Sequence, residues 1–122
     1  MTDQEQYDLH LILTEYYVKE KGLILYHQYS DNDTVWYEEH DEHGQKLRFI
    51  DRECKLTDLK WLAELLRMLA AEGKVVSIKI YPKQGRWDVM LFGSLFKAVT
   101  ATADTIELAL AECLGEIIKE MK

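Results

Sequence analysis

Apolar residues recur along this chain with two periods, near 3.6 in three stretches and near 2 in the segments between them, and each change of period marks a change of element. The C-terminal half reads most clearly. Leu59, Leu62, Ala63, Leu66 and Leu69 share one face of a helix that Thr57 can cap and that runs to about Glu72, with Gly73 as its stop. Val76, Ile78 and Ile80 then alternate with Ser77, Lys79 and Tyr81, the pattern of a half-buried strand, and Pro82-Lys83-Gln84-Gly85 supplies a turn. Trp87, Val89 and Leu91 alternate with Arg86, Asp88 and Met90 in a second strand. Gly93-Ser94 is a two-residue hairpin signal, which predicts a third strand over Leu95 to Thr102. A helix from about Asp104 to Met121 closes the chain. Asp104 as N-cap with Glu107 three residues on makes an acidic variant of the capping box, and Ile106, Leu110, Cys113, Leu114, Ile117 and Met121 form its buried stripe.

In the N-terminal half, Asp3 to Lys21 fits a helix with Leu9, Ile12, Leu13 and Tyr16 inward, although Thr14, Tyr16, Tyr17 and Val18 also tolerate a strand. Strands over Leu23 to Tyr29, Thr34 to Glu39 and Lys46 to Asp51 follow, separated by turns at Ser30-Asp31-Asn32-Asp33 and His43-Gly44. The halves therefore share an order. Tyr29 and Trp36 match Tyr81 and Trp87 in that order, which is compatible with an old duplication and also with two similar units arising independently. The expected fold is α+β: an antiparallel sheet of two three-stranded meanders with three helices, in the order α-βββ-α-βββ-α. With 122 residues, 48% of them hydrophobic, residues 1–122 are expected to form a single domain with a sizeable core.

Charge changes this picture more than composition does. The net charge is −7, and the first 53 residues hold 13 acids against 5 bases while the rest holds 9 acids against 10 bases. Such a distribution gives the N-terminal part a field that attracts basic partners and repels nucleic acid and anionic membrane. The N-terminus carries acids where a signal peptide carries bases, and its longest apolar run, Leu11 to Leu13, is far short of a membrane span, so a cytoplasmic location is expected. Cys54 and Cys113 stand apart with no partner motif, and both are expected as reduced thiols, Cys113 pointing into the core.

Trp87 to Met121 resembles the closing strand-turn-strand-helix of the phage ABA sandwich domain family. The resemblance rests on Trp87-Asp88-Val89 at a strand start, a turn glycine at Gly93, the strand end Thr100-Ala101-Thr102, and a helix opening on Asp104 with Ala109, Ala111 and Cys113 inside. Antitoxins of the HicB type join strand to helix in a similar way. The resemblance covers less than a third of the chain; it implies a phage or prophage origin and supplies no active residues.

Three kinds of chemistry can be set against the remaining residues. In Glu38-Glu39-His40-Asp41-Glu42-His43, strand alternation would let Glu38, His40 and Glu42 converge as ligands for zinc or nickel, and a solvated hairpin tip explains the same residues. Ser30, Ser77 and Ser94 lack the strained elbow and the nearby base that nucleophilic catalysis needs, so no enzyme is expected. Lys79, Lys83, Arg86 and Lys97 beside Tyr81 and Trp87 suggest a single-strand platform, which the net negative charge opposes.

The acidic segment remains. Asp31, Asp33, Glu38, Glu39, Asp41 and Glu42 are interleaved with Trp36 and Tyr37, a mixture suited to an interface with an aromatic centre and a charged rim. The expected function is a small, non-catalytic, protein-binding module of phage or mobile-element origin. It would inhibit a nucleic-acid-handling protein as an anti-defence, anti-CRISPR or DNA-mimic blocker, through those eight residues. An immunity protein or antitoxin against a basic toxin nuclease is the alternative, and a metal- or ligand-binding module at His40 and His43 is the alternative of another class. The partner expected is a basic or nucleic-acid-binding protein, without a cofactor and without direct contact to nucleic acid or membrane, the oligomeric state being open.

Overall fold

A computed structural model describes residues 2–21, 24–31, 34–40, 46–48, 56, 58–93 and 98–121, with 3, 7, 24–31, 34–40 and 46–48 described by their backbone alone. In chain order the elements are α1 (Asp3–Glu20), β1 (Ile24–Asp31), β2 (Thr34–His40), β3 (Lys46–Arg48), α2 (Leu59–Ala71), β4 (Ser77–Lys83), β5 (Arg86–Phe92), β6 (Val99–Ala103) and α3 (Ile106–Glu120). The protein is α+β, with three helices and a three-stranded antiparallel sheet β4-β5-β6 among the described residues. Its chain divides into two compact units, Met1–Lys55 and Leu56–Lys122. No helix among the described residues is long and apolar enough to cross a membrane.

The first unit opens on a capping box. Thr2 Oγ1 accepts from the Glu5 N–H at 3.1 Å, and Glu5 Oε1 accepts from the Thr2 N–H at 3.3 Å, so two donors at the helix start are satisfied together. The helical alternative for this segment is the one realised. Leu9, Leu13 and Tyr16 are buried as expected and Ile12 is half-buried, but His10, Thr14 and Val18 are buried too. The inward face is therefore wider than the apolar pattern alone marks. Helix α1 packs on β1 and β2.

In the second unit the Asp58 side chain caps α2, accepting from the Trp61 N–H at 3.3 Å; Thr57, the expected cap, lies outside the described residues. The buried face is Trp61, Leu62, Leu65 and Leu69, whereas Leu59 is 46% exposed, Ala63 is exposed and Leu66 is half-buried. Two overlapping stripes compete in this leucine-rich helix, and the one that buries the indole removes more apolar area from water. Gly73 stops the helix as expected: at φ +74° its N–H reaches Ala70 O and the Lys74 N–H reaches Leu69 O, the paired bonds of a left-handed C-terminal cap.

Strands β4 and β5 meet through a two-residue turn, Gln84-Gly85, both at positive φ, so Pro82 and Lys83 belong to the strand rather than to the turn. The expected tight turn at Gly93-Ser94 falls partly outside the described residues, which omit 94–97, and the ladder beside it lacks the register of such a turn. That turn would pair Phe92 with Leu95, whereas Leu91 lies opposite Val99 and β6 begins only at Val99. The reason is one of parity. The observed register puts Val99, Ala101 and Ala103 on the face of Val89 and Leu91, and the shorter turn would have put Thr100 and Thr102 there instead.

Helix α3 packs on that face of β5 and β6 and also against α2. Contacts on two sides explain why Ala109, Leu110, Ala111, Cys113, Leu114, Gly115, Ile117 and Ile118 are all buried, more than one stripe, while Met121 is exposed. Thr105 is the N-cap, its Oγ1 accepting from the Leu108 N–H at 3.2 Å. Asp104, the expected cap, instead accepts from Arg86 Nε at 3.1 Å.

Candidate functional site

The acidic segment runs through β1 and β2, whose backbones pair antiparallel, and β2 pairs on its other side with β3. Asp31 closes β1 opposite Thr34, so Ser30 and Asp31, expected in the turn, extend the strand past its expected end at Tyr29. Trp36 lies opposite Tyr29, and Tyr37 opposite Gln28. Glu39 lies between Leu25 and Arg48, and His40 between Ile24 and Lys46. Trp36, Tyr37, Glu38 and Glu39 thus form one continuous run on β2, beside β1, with β3 described on the other side only at Glu39 and His40. Asp33, Asp41, Glu42 and His43 fall outside the described residues. The register also brings Arg48 and Lys46 to positions opposite Glu39 and His40, a pairing that the linear spacing does not reveal.

The boundary between the units coincides with the charge boundary. Residues 1–55 carry 13 acids and 6 bases, and residues 56–122 carry 9 of each. All of the net charge therefore belongs to the first unit. A charge of that size on 55 residues raises encounter rates with a basic surface and disfavours anionic ligands.

Among the described residues, three buried groups able to take part in chemistry lie elsewhere. His10 is 2% exposed, and burial lowers its imidazole to about 4, so it is neutral at physiological pH. Cys113 is fully buried, 3.3 Å from Val89 O and 3.7 Å from Val99 O, and is a free thiol; Cys54 lies outside the described residues. Burial, reinforced by Glu112, pushes the Cys113 thiol up to about 12, which leaves almost no thiolate to act as a nucleophile.

Asp88 is the third. It is 2% exposed although it sits on the face of the sheet opposite α3; its Oδ1 accepts from the Thr102 hydroxyl and its Oδ2 lies 3.7 Å from Lys83 Nζ. Alternation assigns Asp88 correctly to the polar face but gives no sign of its burial. The available signal was the cross-strand register, which sets Tyr81 and Thr102 on either side of it.

Comparison of the chain with protein families, with curated proteins and with solved structures finds no match.

Proposed function

We propose that this protein is a non-catalytic binding module of phage or mobile-element origin that works in the cytoplasm by occupying a basic site on a nucleic-acid-handling protein. The contact surface in this reading is the acidic segment, Asp31, Asp33, Trp36, Tyr37, Glu38, Glu39, Asp41 and Glu42, and the effect is inhibition of the DNA-mimic or anti-CRISPR kind. The observation that carries it is the coincidence of unit and charge: the whole −7 resides in residues 1–55. Carboxylates spaced along a strand present charge where a phosphate-binding surface expects it, and the adjoining aromatics supply the apolar centre of an interface. The same reading takes the chain as two three-stranded meanders; the ladders of β1, β2 and β3 support it. Cross-strand pairing weighs against duplication as the source of that order. Tyr29 pairs directly with Trp36, but Tyr81 lies opposite Asp88 and Trp87 opposite Pro82, so the matched aromatics are not equivalent.

The test compares the wild-type chain with a variant carrying Glu38→Lys, Glu39→Lys, Asp41→Lys and Glu42→Lys for capture of proteins from a bacterial lysate, followed by assay of the captured protein's DNA binding. Wild type is expected to retain a nucleic-acid-binding protein and to compete with DNA for it; the variant is expected to do neither while unfolding at a similar temperature. A captured toxin nuclease would assign the immunity role to the same surface. Loss of capture on replacing His40 and His43 by Ala, with retention in the charge-reversed variant, would overturn the proposal in favour of the metal or ligand module.

A further inference from the structure

Strand β4 is an edge of its sheet, and every residue from Ser77 to Lys83 is exposed except Ile78, which is half-buried. Its side chains are nevertheless sorted. Ile78, Ile80 and Pro82 share the face on which α3 packs, while Ser77, Lys79, Tyr81 and Lys83 share the other. Helix α3 lies over β5 and β6, and the apolar row of β4 continues past it into solvent, with Ile80 44% exposed and the adjoining Val76 69% exposed. A strand patterned for burial and left uncovered on its apolar side is a surface awaiting a partner.

Backbone geometry says how that partner attaches. In a two-residue hairpin the flanking pair, here Lys83 and Arg86, exchanges both ladder bonds, so residues 81, 79 and 77 turn their backbone groups toward β5 and residues 82, 80 and 78 turn theirs outward. Pro82 has no N–H to offer, and the Val76 N–H is already bonded to Phe92 O at 2.6 Å. Outward pairing is thereby confined to Ile78 and Ile80, with the Pro82 carbonyl beyond them.

Charge decides which strand fits. Among the described residues, Lys79 has no carboxylate partner and rests 5.6 Å from the Phe92 ring centroid, while Lys83 has Asp88 alone, at 3.7 Å. Antiparallel pairing of β4 with a second copy through Ile78 and Ile80 would set Lys79 opposite its own equivalent, and like charges across a strand pair are unfavourable. We propose that the β4 edge accepts an extended segment of a partner protein whose residues alternate apolar and acidic, the apolar ones beside Ile78 and Ile80 and the acidic ones beside Lys79 and Lys83. This is β-augmentation, in which main-chain bonds supply affinity and the alternate side chains supply selectivity. It is independent of the acidic segment in the first unit.

The test uses the full chain and two capped octapeptides, four Val-Glu repeats and four Val-Lys repeats, with amide hydrogen exchange read residue by residue. The Val-Glu peptide is expected to slow exchange at Ile78 and Ile80 and to bind roughly tenfold more tightly than the Val-Lys peptide, the swing of two cross-strand charge pairs. Ile80→Pro removes one outward N–H, leaves the ladder to β5 intact and is expected to abolish the protection read at Ile78. Lys79→Glu, which leaves the backbone unchanged, is expected to move the preference toward the Val-Lys peptide. Unchanged exchange at residues 78 and 80 with the Val-Glu peptide, or equal binding of both peptides, would overturn the proposal. A dimer in sedimentation of the protein alone, with residues 78 and 80 already protected, would overturn it in favour of a second copy on this edge.

Discussion

Leu62 and Leu65 are fully buried while Leu66, their neighbour on the same helix, is only half-buried, so a single position of rotation separates core from margin. Leu62→Ala is expected to cost about 2–5 kcal/mol, the usual range for a buried leucine, and Leu66→Ala clearly less. Denaturant midpoints decide between them; equal losses would mean that α2 faces the core differently. His10 makes a second prediction through pH. Its folded value of about 4 lies below the ordinary histidine value of about 6.5. Between those limits the unfolded chain binds more protons than the folded one, so stability is fully present above pH ~6.5 and is lost as pH falls toward ~4. The loss is at most about 3 kcal/mol. Unfolding midpoints of wild type and His10→Leu, measured across that window, should converge as the pH falls if leucine costs packing at neutral pH, because only wild type carries this proton linkage. Parallel profiles would show that His10 titrates normally in the fold.

Helix and strand ends show how an element's limits are set by groups outside it. Thr105 and Asp104 are adjacent and both suit an N-cap, but Arg86, at the start of β5, holds the Asp104 carboxylate and leaves the capping bond to Thr105. Thr105→Ala is expected to destabilise the fold by roughly 0.5–2 kcal/mol. Asp104→Ala, which removes an exposed ion pair, should cost about 1 kcal/mol or less. Thermal unfolding of the two variants checks the order, and a larger loss for Asp104→Ala would return the cap to that residue. In the sheet, the pairing of Leu91 with Val99 is likewise chosen by which residues β6 brings beneath α3. Small side chains there, Ala101 and Ala103, let a helix containing Ala109 and Cys113 approach the sheet closely, with Cys113 Sγ 3.3 Å from Val89 O.

For the molecule as a whole, charge sits in one unit and the large exposed apolar residues of β4 sit in the other. The two proposed surfaces consequently answer differently to salt. A complex formed through the first unit should associate more slowly as ionic strength rises past about 0.1 M, with dissociation little changed, because steering is screened over roughly 10 Å. Stopped-flow rates at several salt concentrations measure this, and an association rate indifferent to salt would contradict it. Local signals made much of the architecture readable in advance: the periods of α2 and α3, the alternation of β5, the Gly73 stop and the concentration of acids all follow from near neighbours in the chain. For the candidate site, the run from Trp36 to Glu39 was legible as a strand, but not its placement beside Arg48. Tertiary packing alone decided that Trp61 rather than Leu59 faces inward, that β6 starts at Val99, and that the polar side chains of His10, Thr14 and Asp88 are buried. The physical reason is that periodicity and capping are properties of a few consecutive residues, whereas register and burial depend on what a distant segment places opposite them.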